Sequence, residues 1–392
     1  MAENLKPAIR FAGFTDAWEQ RKVRDIANRF DNLRVPVVAN LRVSGTTPYY
    51  GANGIQDYVE GFTHDGEFVL VAEDGANDLK NYPVKCVKGR IWVNNHAHVL
   101  QGKQNIADNK FLAFSINRAD IESLLVGGGR AKLNAETMMD ISLMIPPIDE
   151  QRVIGQYIST VDHLITLHQR KCDKLSNVKK SMLEKMFPKN GSNVPEIRFA
   201  GFTDAWEQRR LGAIATEVNR NDPTSIAPIM MITANNGFIE QSERYAFNNA
   251  GESLKKYILL EKGELAYNHG ASKLRPYGSC FALTNEENAR IPFVYHCFDV
   301  GENDSEFVSI ELNGADIEEQ LRKIVSSGAR MDGLLNISYE EYSNVMLKLP
   351  SIREQQTISA FFRSLDHLIT LHQRKLEKLQ NIKKSCLEKM FV

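Results

Sequence analysis

Residues 9–21 read IRFAGFTDAWEQR, and residues 197–209 repeat the same thirteen letters at an offset of 188. Identity over such a run marks an internal duplication, which has to be settled before any local structure is assigned. A second pair of blocks completes it. Residues 162–171 and 366–375 both read DHLITLHQRK, and residues 183–187 and 387–391 both read LEKMF, now at an offset of 204. Between the blocks lie residues 22–147 and 210–351, which share almost no sequence, the second being longer by the 16 residues that separate the two offsets. The order is therefore tag, variable segment, repeated helix, twice over. Parts kept alike serve a common geometry, and parts that diverge serve specificity. The proposed boundaries are a first domain with its tag at 1–149, a first long helix at 150–187, a linker at 188–196 rich in Pro, Gly, Asn and Ser, a second domain at 197–353 and a second long helix at 354–392.

The helices follow from periodicity. In residues 150–187 the apolar positions Ile154, Ile158, Val161, Ile165, Leu175, Val178, Met182 and Met186 are spaced by three, four or sums of these, and Ile358, Phe362, Leu365, Ile369, Leu379, Ile382, Cys386 and Met390 match them in the second copy. Neither run contains proline, while Pro146, Pro147 and Pro350 stand before the runs and Pro188 after the first. Each helix should cover about 38 residues, roughly 57 Å. A helix that long needs a partner, and the other copy offers a stripe of matched length, so an antiparallel coiled coil with pseudo-two-fold internal repeat is expected. The fold class expected is α+β, two globular domains joined by these helices. Each helix carries seven Lys/Arg against four Asp/Glu. That leaves a basic helix pair in a chain whose net charge is −1.

Composition excludes several classes. With 392 residues, 43 % hydrophobic and 25 % charged, the chain is an ordinary folded protein of several domains. No run approaches the 18 or so apolar residues of a membrane span, and the start has no apolar signal core, so a cytoplasmic protein is expected. The five cysteines are scattered, with no Cys-x-x-Cys pair, as befits reduced thiols without a zinc site. His96 and His98 have no carboxylate or thiol at ligand spacing close by, so no metal is expected. The catalytic kit of an adenine methyltransferase is not expected either. The Pro146-Pro147 step continues Ile148-Asp149, unlike the Asn/Asp-Pro-Pro-aromatic step of an adenine methyltransferase, and the glycines at 127–129 lack nucleotide-binding spacing.

These residues together resemble a type I restriction–modification specificity subunit (S, HsdS). The resemblance rests on the FAGFTDAWEQR tag opening each half, the Pro-x-Ile-x-Glu-Gln step at 146–151 and 350–355, and the helix ending LEKMF. In the first variable segment TPYYGANGIQD (47–57), DGEFVLVAEDGAN (65–77) and VNNHAHV (93–99) look like one type of target recognition domain, and GELAYN (263–268) resembles a different type. The resemblance implies a non-catalytic DNA-binding chain in which each variable domain reads half of a bipartite, asymmetric site and the helices set the spacer. It implies as partners double-stranded DNA, two modification subunits and two restriction subunits, and no membrane. S-adenosylmethionine, ATP and Mg would be bound by those partners, with no cofactor in this chain. A coiled-coil scaffold, or a DNA adenine methyltransferase with a fused recognition domain, are the alternatives.

Candidate DNA-contact residues follow from side-chain chemistry, since amides suit adenine edges while Arg and Lys suit guanine or phosphate. In the first half these are Tyr49, Tyr50 and Asn53 in an aromatic, Gly-rich turn, Asn94, Asn95 and His96 after a strand-like run, and Arg130 and Lys132 in a Gly-rich loop. In the second half they are Asn235, Asn236, Asn268, His269, Lys273, Arg275 and Arg330. His163, His168, His367 and His372 are read as solvated or seam positions, and Trp18 and Trp206 as anchors packing each tag on the helix ends.

Overall fold

The computed structural model describes residues 6–127, 131–189, 191–234, 236–244, 251–325 and 335–392. The two periodic stretches are helices of 38 residues, Ile148–Lys185 and Ile352–Lys389, each beginning two residues ahead of the expected Glu150 and Glu354. The reason is local. Pro147 closes the preceding extended run in one case and Pro350 in the other, so the helical ladder can start at once behind them. Among the described residues no helix is long and apolar enough to cross a membrane.

The chain divides into two compact units, one running up to Lys171 and including His372–Val392, the other Cys172–Leu371. Each unit thus holds the beginning of one long helix and the end of the other. In the first unit Asp162 pairs with Lys383 at 2.7 Å, and His168 Nδ1 meets His372 Nδ1 at 2.8 Å. Rising numbers on one helix meet falling numbers on the other, so the segments are antiparallel. In the second unit Lys179 pairs with Asp366 at 2.6 Å and Phe187 lies against Phe362, again antiparallel. Asp162 and Asp366 hold the same place in the repeat, as do Lys179 and Lys383. The same ion pair is therefore made in each unit with the copies exchanged. His168 and His372 sit in the seam, whereas His163 and His367 are exposed.

The variable segment of the first unit folds into a six-stranded sheet, whose spatial order is Ala27–Arg29, Ala97–Gly102, His64–Ala72, Val84–Val93, Ser44–Gly51, Gly54–Val59. Strand alternation fills two cores from one run of sequence. Phe68 and Leu70 enter a cluster with Tyr50, Val87 and Val93, while Val69 and Val71 enter the larger cluster with Phe111, Leu112 and the tag's Trp18. The second unit has a four-stranded antiparallel sheet in the order Thr216–Glu217, His296–Asp299, Leu265–Asn268, Ser279–Ala282, beside short two-stranded ribbons. The two inserts differ in sheet size and order as they differ in sequence.

What the units share is the way each insert is bracketed. The end of the tag pairs antiparallel with the strand just before the long helix, Glu19–Lys22 with Ser142–Ile145, and Glu207–Arg210 with Met346–Leu349. The two ends of each variable segment are thereby held side by side, which makes the insert a module. Tag and helix are joined by a buried ion pair, Arg10 with Glu150 at 2.6 Å and Arg198 with Glu354 at 2.7 Å, both bidentate, with the glutamates no more than 1 % exposed. The preceding residue donates its backbone N–H to the end of the opposite helix, Ile9 to Lys389 and Ile197 to Lys185. Trp18 packs on Phe111 and Phe391, and Trp206 on Phe307 and Phe187. The tryptophans therefore anchor the tags on the helix ends as expected.

A buried charge stripped of its partner is costly. Glu150→Ala should lower the unfolding free energy by about 3–5 kcal/mol, read by urea denaturation of the purified chain. A loss below about 1 kcal/mol, the range of exposed pairs, would show that the ion pair does not secure the tag.

Candidate nucleic-acid interface

The first-half candidates gather around the loop 73–77, EDGAN. Gly75 takes φ 69, a left-handed conformation open to glycine, and lets the loop turn back toward the sheet. Asn53, exposed between its two strands, donates from Nδ2 to the Gly75 carbonyl at 2.9 Å and accepts from the Asn77 N–H at 2.9 Å. His96 Nδ1 contacts Asp74 at 2.5 Å, and the Glu73 N–H donates to the His96 carbonyl. Lys132 reaches Glu73 at 2.8 Å. Asn94 is buried and organises the adjoining turn. Its N–H donates to the Tyr50 carbonyl and its Oδ1 accepts from the His96 N–H at 2.8 Å. Asn95 stands exposed at the tip of that turn.

Tyr49 and Tyr50 belong to the core and not to the surface, at 1 % and 7 % exposure. The Tyr49 hydroxyl accepts from the Val37 N–H at 2.9 Å, and the Arg42 guanidinium lies 4.1 Å above its ring. Adjacent on one strand, they are covered by different neighbours, Tyr50 in the cluster with Phe68, Val87 and Val93 and Tyr49 against Trp92, which the Gly-rich turn beside them hid in the sequence. Arg130 lies outside the described residues, as do Asn235 and Arg330 in the second half.

In the second half Asn236 and Lys273 are exposed. Asn268 ties strands together, donating to the Ile232 carbonyl at 3.1 Å and accepting from the Gly270 N–H at 2.9 Å. His269 is buried, its two ring nitrogens each 2.8 Å from a carbonyl oxygen, of Leu335 and of Val294. Arg275 is half-buried and donates to the Asn313 carbonyl at 2.8 Å. Burial pulls its pKa down, against the opposing charge of Glu318. Asn236 and Lys273 therefore face outward, while Asn268, His269 and Arg275 hold the domain together.

Sequence reading missed the carboxylates that tether the first-half cluster. Glu73 binds Arg34 at 2.6 Å as well as Lys132, and Asp31 binds His98 at 2.7 Å. Asp31, Glu73 and His98 bring ligand atoms within 4.8 Å of one another. Arg34, Lys132 and the Val99 N–H engage these carboxylates, so the arrangement is an ion-pair network rather than a metal cage. Burial favours the neutral form of Glu73, but the hydrogen bonds from Lys132 and Arg34 outweigh it and hold its pKa below the ordinary carboxylate range. A carboxylate depressed in the folded state stabilises the fold above its unfolded pKa and loses that contribution as pH falls through its folded value. Stability should thus decline on acidification below about pH 4.5, and Glu73→Gln should flatten that decline in urea titrations run at successive pH values. An unchanged slope would mean that the network contributes nothing.

Residues 15–177 match the family model described as type I restriction modification DNA specificity domain. A putative type I restriction enzyme specificity subunit from Haemophilus influenzae is 44 % identical over 146 residues, covering 37 % of this chain and 38 % of that protein. A type I restriction enzyme specificity subunit from Methanocaldococcus jannaschii is 23 % identical over 184 residues, covering 44 % and 42 %. The chain thus spans about two-fifths of the length of these relatives. The crystal structure of a type I restriction–modification S subunit from M. genitalium shares the fold, with a TM-score of 0.65 over 99 % of both chains at 13 % identity. Residues 15–177 are thus similar to a type I restriction modification DNA specificity domain, and the whole chain shares the fold of that S subunit.

Proposed function

We propose that this chain carries the DNA address of a type I restriction–modification enzyme and leaves the chemistry to its partners. The domains at 1–149 and 197–353 each read one half of a bipartite, asymmetric site. The helices at 150–187 and 354–392, with the linker at 188–196, set the spacer and dock the modification subunits. One observation carries the reading: a single bracket of tag, ion pair and aromatic triad is built twice, around two inserts with different sheets. A partner that recognises the bracket meets it twice, whereas DNA meets two unlike surfaces.

Asn95, Asn236, Lys273 and Lys132 are exposed side chains suited to base edges and phosphates, and Asn53 is exposed with its amide also bound to Gly75 and Asn77; Arg130, Asn235 and Arg330, outside the described residues, carry the same chemistry in the sequence. Asn94, His96, Asn268, His269 and Arg275 support them from behind. Two modification subunits would supply S-adenosylmethionine and the pocket for an extruded adenine, and two restriction subunits would supply ATP- and Mg-dependent cleavage. Half-sites about one helical turn, roughly 34–36 Å, apart suit such a design.

Replacing residues 22–145 with the variable segment of another such protein, in the complex with its modification subunits, should change one half of the methylated sequence and leave the other intact. Because Glu19–Arg21 of the tag strand are retained and the incoming segment supplies the strand that pairs with them, folding should be preserved. A change in both halves would refute modular reading.

A further inference from the structure

Beside each ion-paired glutamate stands a glutamine that is 1 % exposed, Gln151 and Gln355. Gln151 Oε1 accepts from the Asp108 N–H at 3.0 Å, and its Nε2 donates to the carbonyls of Ile106 at 2.9 Å and Pro146 at 2.8 Å. Gln355 repeats this. Its Oε1 accepts from the Asp304 N–H at 3.0 Å, and its Nε2 donates to Asn303 Oδ1 at 3.1 Å and to the Pro350 carbonyl at 3.0 Å. Asp108 and Asp304 in turn cap the helices Asn109–Arg118 and Ser305–Leu312, accepting from the N–H of Phe111 and of Phe307. Each glutamine makes one bond to the segment leading into its own long helix and two to the N-cap region of a helix in the variable domain.

The chemistry of the joint is directional. A primary amide both accepts and donates twice, which no carboxylate can do. The aromatic triads beside the joints, Trp18 with Phe111 and Phe391 and Trp206 with Phe307 and Phe187, supply adhesion that tolerates rotation, whereas hydrogen bonds fix the angle. We infer that Gln151 and Gln355 are positioning residues for recognition: each sets the angle at which its domain is held on the long helix, and with it the half-site spacing the chain accepts. The inference rests on the bipartite reading proposed above. The leverage is sufficient, since a tilt of about 10° moves a loop about 20 Å away by about 3.4 Å, one base-pair step.

The test uses the full chain in complex with its modification subunits and duplexes carrying its mapped site with the native spacer or with one base pair added or removed. Wild type should prefer the native spacer. Gln151→Ala, Gln151→Glu and Gln355→Ala should each cut that preference by about tenfold, the equivalent of one or two lost hydrogen bonds, while binding to the native spacer falls less. Met138→Ala, in the core of the first unit with 0 % exposure, serves as the control and should lower the melting temperature with the preference unchanged. An unaltered preference in the glutamine variants, or an equal loss in Met138→Ala, would overturn the inference, as would failure of all three glutamine variants to fold. A wild-type complex indifferent to spacer length would instead sink the bipartite reading itself.

Discussion

The structure depends on a buried ion pair made twice. Arg10 with Glu150, and Arg198 with Glu354, hold an otherwise exposed tag against the first turn of a long helix. Desolvating two charges is expensive and is offset only by good geometry, which the bidentate contacts supply. Once that contact exists, the rest is constrained. The tag strand must lie beside the strand preceding the helix, the tryptophan must meet the helix ends, and the insert must leave and return at one place. Such a constraint says nothing about what the insert is. The first accordingly is a six-stranded sheet and the second a four-stranded one with ribbons.

This explains how much of the fold was legible. The frame was written twice in nearly the same letters, and its helices carry an uninterrupted 3.6-residue period, so repeat, helix length and antiparallel seam could be read directly. The inserts carry no such internal reference. Their strands are short, and the burial of Tyr49 and Tyr50 is decided by a register that spacing alone does not disclose. The joints between insert and frame were missed for a similar reason. Asp-x-x-Phe occurs at 108–111 and at 304–307, but its offset of 196 matches neither the tag nor the helix, so only three-dimensional proximity reveals it as common to both halves.

The candidate interface was partly legible. Asn53, Asn95, Asn236 and Lys273 were singled out for side-chain chemistry and are exposed, though the Asn53 amide is also bound to backbone groups of Gly75 and Asn77. Asn94, Asn268 and His269 have the same chemistry but spend it on backbone groups of their own domain. An amide or imidazole in a loop sequence can satisfy a turn or a base edge, and only the fold distinguishes the two uses. The carboxylates of Asp31 and Glu73 escaped notice because acidic residues are not sought among candidate DNA contacts. Here they hold Arg34, Lys132 and His98 in place.

The central claim is that two unlike readers are held on one duplicated frame that does no chemistry. It is tested most directly by mapping modified adenines across the genome of cells that carry this gene with its companion modification gene, against cells lacking it. The account predicts a gene-dependent motif of two unrelated half-sites separated by an unspecified gap of fixed length. A continuous palindrome, or a modification pattern indifferent to the gene, would contradict it.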